Sequence, residues 1–257
     1  MNLYHYTSIE SFRKIWESKS LLFSLSENTN DFFERQKTIT LTQETFVYNG
    51  KPQDRSRFDN FDDKIFREFS KYRQVSLSCD YSASIKGYES PMMWGQYARS
   101  KNELGQWVNG VCIAIDSDKI IRPNHKIFEG NIDYSSELTP AEVVNIDYTK
   151  EGAESIFVER HIITYFFTKH KHWEYENEYR FVSKYEGSLG IKDAIIGIYI
   201  LDNNDTPKEE IKSIVQNDSL VYLVSLYSKE ILSLQDIKDL QNVMDEFNRQ
   251  NALNRKQ

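Results

Sequence analysis

The run at residues 194–201 constrains this chain most. It is almost wholly apolar, and it reads as a strand near the middle of a sheet, covered on both faces. Such a strand needs further strands beside it and helices over it, and the sequence supplies both. Short apolar or alternating runs predict strands at 3–6, 21–23, 75–79, 111–115, 143–148, 178–183 and 220–226. Ile9, Phe12, Ile15 and Trp16 repeat at helical spacing behind Thr7 and Glu10, a capping-box pair. Phe58, Phe61, Ile65, Phe66 and Phe69 mark a second helix. Met92, Met93, Trp94 and Tyr97 mark a short third one, opened by Pro91. A fourth stripe runs over 156–167 with Ile163 and Phe166. Thr206 and Glu209 form another capping box ahead of Ile211, Ile214 and Val215. Ser228 is placed to cap a long C-terminal helix with Ile231, Leu234, Ile237, Leu240, Val243, Met244 and Phe247 on one face. The polar stretch 27–34 reads as a loop, and the tail from Asn248 is polar. Strands and helices mix without strict βαβ alternation, which predicts an α+β fold, and no composition break divides residues 1–257.

The formal net charge is −7, so the surface has no general attraction for nucleic acid or anionic membrane. No apolar run approaches the length of a membrane span, and the first residues lack the basic and apolar regions of a signal peptide. Cys79 and Cys112 each sit in a strand-like apolar run without a nearby cysteine or histidine, as buried reduced thiols do. These features predict a soluble cytoplasmic protein with no membrane partner; they leave the oligomeric state open. The glycine-rich phosphate cradles, the GxSxG elbow and HExxH are all absent. His170 and His172 form an HxH pair without a third ligand at convincing spacing, so no metal is expected. With Lys169 and Lys171 they read as an exposed basic patch, or as a surface that meets a phosphate.

Three segments stand out together. The first is Leu3-Tyr-His5-Tyr6-Thr7-Ser, followed by a helix and Leu21-Leu-Phe-Ser. The second is Ser90-Pro-Met-Met-Trp94-Gly-Gln-Tyr97-Ala. The third is Lys171-His-Trp173-Glu-Tyr-Glu176-Asn-Glu178-Tyr-Arg180-Phe-Val. Asn30-Asp31-Phe-Phe-Glu34 lies between the first two. In this order the set resembles the bacterial domain of unknown function family 2971 over residues 3–201, with Phe32 where a proline follows the Asn-Asp pair in that pattern. The family name carries no activity. More distantly, His5-Tyr-Thr7, Ser90-Pro-Met-Met-Trp94 and Glu178-Tyr-Arg-Phe-Val resemble the three motif regions of ADP-ribosyltransferases of the DNA-modifying toxin kind. That resemblance implies a split, mostly antiparallel sheet flanked by helices, with NAD as substrate and no metal. It also implies a role in phage defence or a toxin system.

Cleaving the nicotinamide–ribose bond passes through an oxocarbenium-like cation, which a carboxylate near the ribose stabilises. By the resemblance Glu178 is that carboxylate; Glu176 has the same parity along an extended chain and is the second candidate. Glu178 could equally be a structural partner of Arg180. His5 would bond a ribose hydroxyl, with Tyr6 and Thr7 beside it; a satisfied core histidine and a helix cap explain His5 and Thr7 as well. Trp94 and Tyr97 would stack on a ring of the dinucleotide, or simply pack the core. Arg180 would bind the diphosphate, or pair with Glu178. Asn30, Asp31 and Glu34 would contribute from a loop, or cap a helix. The acceptor of ADP-ribose stays open among nucleic acid, protein, small molecule and water. Competing readings are a nucleotide-binding protein without chemistry, a metal-dependent nuclease using Asp31, Glu34, Glu176 and Glu178, and an interaction module with the C-terminal helix as a dimer seam.

Overall fold

The structure is a computed structural model that describes residues 1–25, 47–52, 61–135, 147, 150–226 and 231–254. All of the predicted strand at 143–148 but Asp147, the loop at 27–34, Phe58 and the cap at Ser228 lie outside the described residues. The chain opens with β1 (Asn2–Thr7), α1 (Ile9–Ser18), β2 (Ser20–Leu22), β3 (Ser24–Leu25), β4 (Val47–Tyr48) and β5 (Lys51–Pro52). Next come α2 (Phe61–Phe69), β6 (Arg73–Cys79), α3 (Pro91–Tyr97), β7 (Arg99–Lys101), β8 (Trp107–Asn109) and β9 (Val111–Asp116). They are followed by β10 (Phe128–Asn131), β11 (Asp133–Ser135), α4 (Ala153–Arg160), α5 (Ile162–Phe166), β12 (Thr168–His170), β13 (Glu178–Ser183) and β14 (Ser188–Gly190). The last are β15 (Ile195–Leu201), α6 (Lys208–Val215), β16 (Val221–Val224), β17 (Ile231–Ser233) and α7 (Leu234–Asn254). The fold is α+β, with mostly antiparallel sheet and helices packed on it.

The chain divides into two compact units. Unit 1 comprises residues 1–20, 78–121 and 190–257; unit 2 comprises 21–77 and 122–189. In unit 1, β1 pairs antiparallel with β9, and β9 antiparallel with β15. β15 then takes β16 as a parallel neighbour, and β17 closes that edge antiparallel to β16. The apolar run of β15 is therefore flanked by strands on both sides, and Ile198 and Ile200 are fully buried. Ser90 caps α3 by accepting from the Met93 N–H, with Pro91 at the first helical position.

Three expected helix starts are corrected. Thr7 is the last ladder residue of β1, opposite Val111, so its backbone stays extended and Ser8 caps α1 instead, accepting from Ser11 N–H. The Thr206 hydroxyl donates to Asn203 and does not cap α6, which starts at Lys208. Ile231 belongs to β17, and α7 starts at Leu234 behind a reciprocal cap in which Ser233 and Asp236 exchange backbone and side-chain hydrogen bonds. Val243 and Met244 on α7 are exposed, so the expected apolar face is not covered there.

In unit 2, β10 pairs antiparallel with β13 and β3 with the start of β6, while β11 and β12 run parallel. The core packs α2 against α4 and α5 through Phe61, Ile65, Phe157, Ile162 and Phe166, with Val182 from β13. The stripe over 156–167 is split between α4 and α5 at the buried His161.

Candidate functional site

Unit 2 buries four charged side chains in one network. β12 carries Lys169 inward, with Tyr134 on β11 as its cross-strand neighbour. A 3₁₀ helix of about two turns over Lys171–Glu176 then ends at Asn177, which adopts the left-handed conformation (φ 42°). Asparagine tolerates that region better than most side chains. The 3₁₀ helix, rather than the alternation of an extended chain, brings Glu176 and Glu178 to the same ammonium. Lys169 Nζ lies 2.6 Å from Glu176 Oε2 and 2.8 Å from Glu178 Oε2. Arg180, two residues along β13, takes Glu178 as a fork: Nε donates to Oε1 at 2.6 Å and Nη2 to Oε2 at 2.8 Å. Its Nη1 donates to the Phe166 carbonyl at 2.7 Å. The Glu178 N–H donates to the Tyr134 hydroxyl at 2.9 Å.

Glu176, Glu178, Lys169 and Arg180 are at most 6% exposed, so the four charges sum to zero away from water. Burial works against the Glu178 charge, but Arg180 and Lys169 outweigh it and hold its carboxyl well below the usual carboxylate range. Burial pushes the Tyr134 hydroxyl up, so it stays protonated at neutral pH. Lys169 thus leaves the exposed basic patch expected from the sequence. The residues of that patch on the outside are Lys171 and His172, with His170 half-buried.

A third buried carboxylate in unit 2, Glu68, was not foreseen. Glu68 accepts from Lys71 at 2.5 Å, from the Ser155 hydroxyl at 3.0 Å and from Lys184. Burial opposes its charge, yet these three donors hold its carboxyl at about 2. Its sequence signal is no more than Glu68 and Lys71 one helical turn apart.

In unit 1 the register of β1 separates the residues expected to bind dinucleotide. His5 and Thr7 lie on one face of the sheet and Tyr6 on the other. Tyr6 donates to the Gly87 carbonyl at 2.5 Å and meets the Trp94 ring edge-on at 5.3 Å. Trp94 Nε1 donates to the Tyr88 carbonyl at 2.8 Å, and the side chain is only 3% exposed. Trp94 is therefore a core residue with its polar tip satisfied. Tyr97 and His5 are half-buried. Asn30, Asp31 and Glu34 lie outside the described residues.

Residues 93–181 match a family model described as protein of unknown function (DUF2971). The matched segment is narrower than the span of 3–201 expected from the sequence. It takes in Trp94, Tyr97, Lys169, Glu176, Glu178 and Arg180, and it reaches neither His5 nor β15. No curated protein and no solved structure matches the chain. Among the described residues, no group of three or more His, Cys, Asp or Glu side chains could hold a metal ion, and no helix is long and apolar enough to cross a membrane.

Proposed function

We propose that the chain cleaves the nicotinamide–ribose bond of NAD and passes ADP-ribose to an acceptor, with Glu178 as the carboxylate at the reacting centre. One observation carries this reading. Glu178 heads β13 as a buried carboxylate that Arg180 and Lys169 keep ionised. A fixed negative charge away from water is what an oxocarbenium-like transition state calls for. Buried ion networks are weak sources of stability by themselves, whereas strongly shifted carboxylates gather at functional sites.

In the proposed reaction the C1′–N bond breaks and its electron pair leaves with nicotinamide. The acceptor's lone pair then closes on C1′, and the acceptor loses a proton. Glu178 would stabilise the cation between these events. Lys169 bridges both carboxylates, so its withdrawal to Glu176 alone would turn one lone pair of Glu178 Oε2 toward a ribose hydroxyl while Arg180 holds the rest. Glu176 would then be a positioning residue.

A second reading also has an observation behind it. Both Glu178 oxygens are already engaged and the side chain is 3% exposed. That favours a structural charge network in a nucleotide-binding or interaction module without chemistry. Nicotinamide release from NAD by the purified protein separates the two, run with and without nucleic acid and protein acceptors. Release supports the transferase. No release, together with no rise in melting temperature on adding NAD, overturns it and leaves the second reading.

A further inference from the structure

A cavity of about 340 Å³ in unit 2 shares none of its lining residues with the Glu178 network. That is the lower end of the roughly 300–1,000 Å³ of small-molecule sites. Tyr72, 2% exposed, forms its floor with the half-buried Phe128. One wall is a stacked pair, the His125 and Tyr185 rings 4.4 Å apart and 20° from parallel. Ser183 fixes that wall: its hydroxyl donates to the Lys126 carbonyl at 2.7 Å and accepts from the Tyr185 N–H at 3.1 Å.

Two ammonium groups stand over the rings. Lys126 Nζ lies 4.9 Å from the Phe128 ring centre, and Lys184 Nζ lies 5.0 Å from that of Tyr72. Lys184 is anchored on the buried Glu68, whereas Lys126 pairs with Glu159 at 2.9 Å through two well-exposed side chains. Exposed pairs of that kind are weak, so an incoming anion can take Lys126 over. Arg73 adds a third cation beside the cavity. It holds the lining residue Glu186 at 2.5 Å, and its buried Nε has no acceptor among the described residues.

We propose that this cavity binds a nucleoside monophosphate. The stacked His125–Tyr185 pair offers a planar base an aromatic surface, and Glu159 and Glu186 offer its edge acceptors. Lys126 takes the phosphate, while Lys184 stays on Glu68. A simple anion would leave the aromatic walls unused, and an apolar ligand would strand four charged side chains. The proposal does not depend on the NAD reading, because it uses different residues and a different measurement.

The test is calorimetric titration of the full chain with GMP, guanosine and inorganic phosphate. GMP is expected to bind, guanosine about tenfold more weakly, and phosphate alone not measurably. Lys126→Ala, an exposed change that should not disturb folding, is expected to bring GMP down to the guanosine level and leave guanosine unchanged. Tyr185→Leu is expected to weaken both by about tenfold or more. Absence of GMP binding, GMP binding unaltered by Lys126→Ala, or phosphate binding as tightly as GMP would each overturn the proposal.

Discussion

At the scale of single residues, Arg180 is the side chain on which the buried network turns. It is fully buried and commits all three of its guanidinium nitrogens, two of them to Glu178. Arg180→Met would leave Glu178 and Glu176 with Lys169 as their shared cation. Equilibrium urea unfolding should show a loss of about 3–5 kcal/mol, the usual penalty for an uncompensated buried charge. Arg180→Lys, which keeps the charge but not the fork, should lose less. Glu68 gives a pH prediction. Its folded carboxyl lies at about 2 against an ordinary 4.5, so on acidification the unfolded chain takes up the proton first. Its contribution is present at neutral pH and is lost as pH falls from about 4.5 toward about 2. The loss should be at most about 3 kcal/mol, reduced by solvent screening at the exposed Lys71 and Lys184, and Glu68→Gln should flatten the stability curve in that window. The Glu178–Arg180 pair was legible in the sequence, because residues two apart on a strand share a face. Lys169 was not, because its inward direction depends on β12 lying beside β11, which no local pattern encodes.

At the scale of elements, hydrophobic pattern carried the fold and cap chemistry misled. The runs that became β6, β9, β13, β15 and β16 were readable, since burial needs apolar side chains at fixed parity. The helix starts were less so. Thr7 and Ser8 are adjacent hydroxyl residues, and sheet register decided which one caps α1. The Thr206 hydroxyl donates three residues back to Asn203, whose side chain also accepts from the distant Asn109 at 2.8 Å. Gly110, the one residue between β8 and β9, gives a test of how tightly this chain meets the end of β1. A Cβ on Gly110 would lie 1.9 Å from the Thr7 carbonyl oxygen and 2.9 Å from Ser8 Cα, both backbone atoms. Gly110→Ala should therefore destabilise the protein by about 2 kcal/mol or more through overpacking, read as a lower urea midpoint. An unchanged midpoint would show that β1 and β9 can part there without loss.

At the scale of the whole molecule, the chain crosses between its two units four times, so neither unit is a continuous stretch of sequence. The segment matched by the family model cuts across that division. Residues 93–181 contain β9 without β1 or β15, and α4 without α2. A fragment of those residues alone should lack a cooperative thermal transition by circular dichroism, because its strands and helices lose the partners that bury them. A cooperative transition would mean that the matched segment folds by itself. The most direct test of the central claim is the rate of nicotinamide release from NAD by the full chain and by Glu178→Gln, each checked for folding by its urea midpoint. The expected result is turnover that falls by about a hundredfold or more in a variant that remains folded. Near-normal turnover in the folded variant would contradict it and leave Glu178 a structural partner of Arg180.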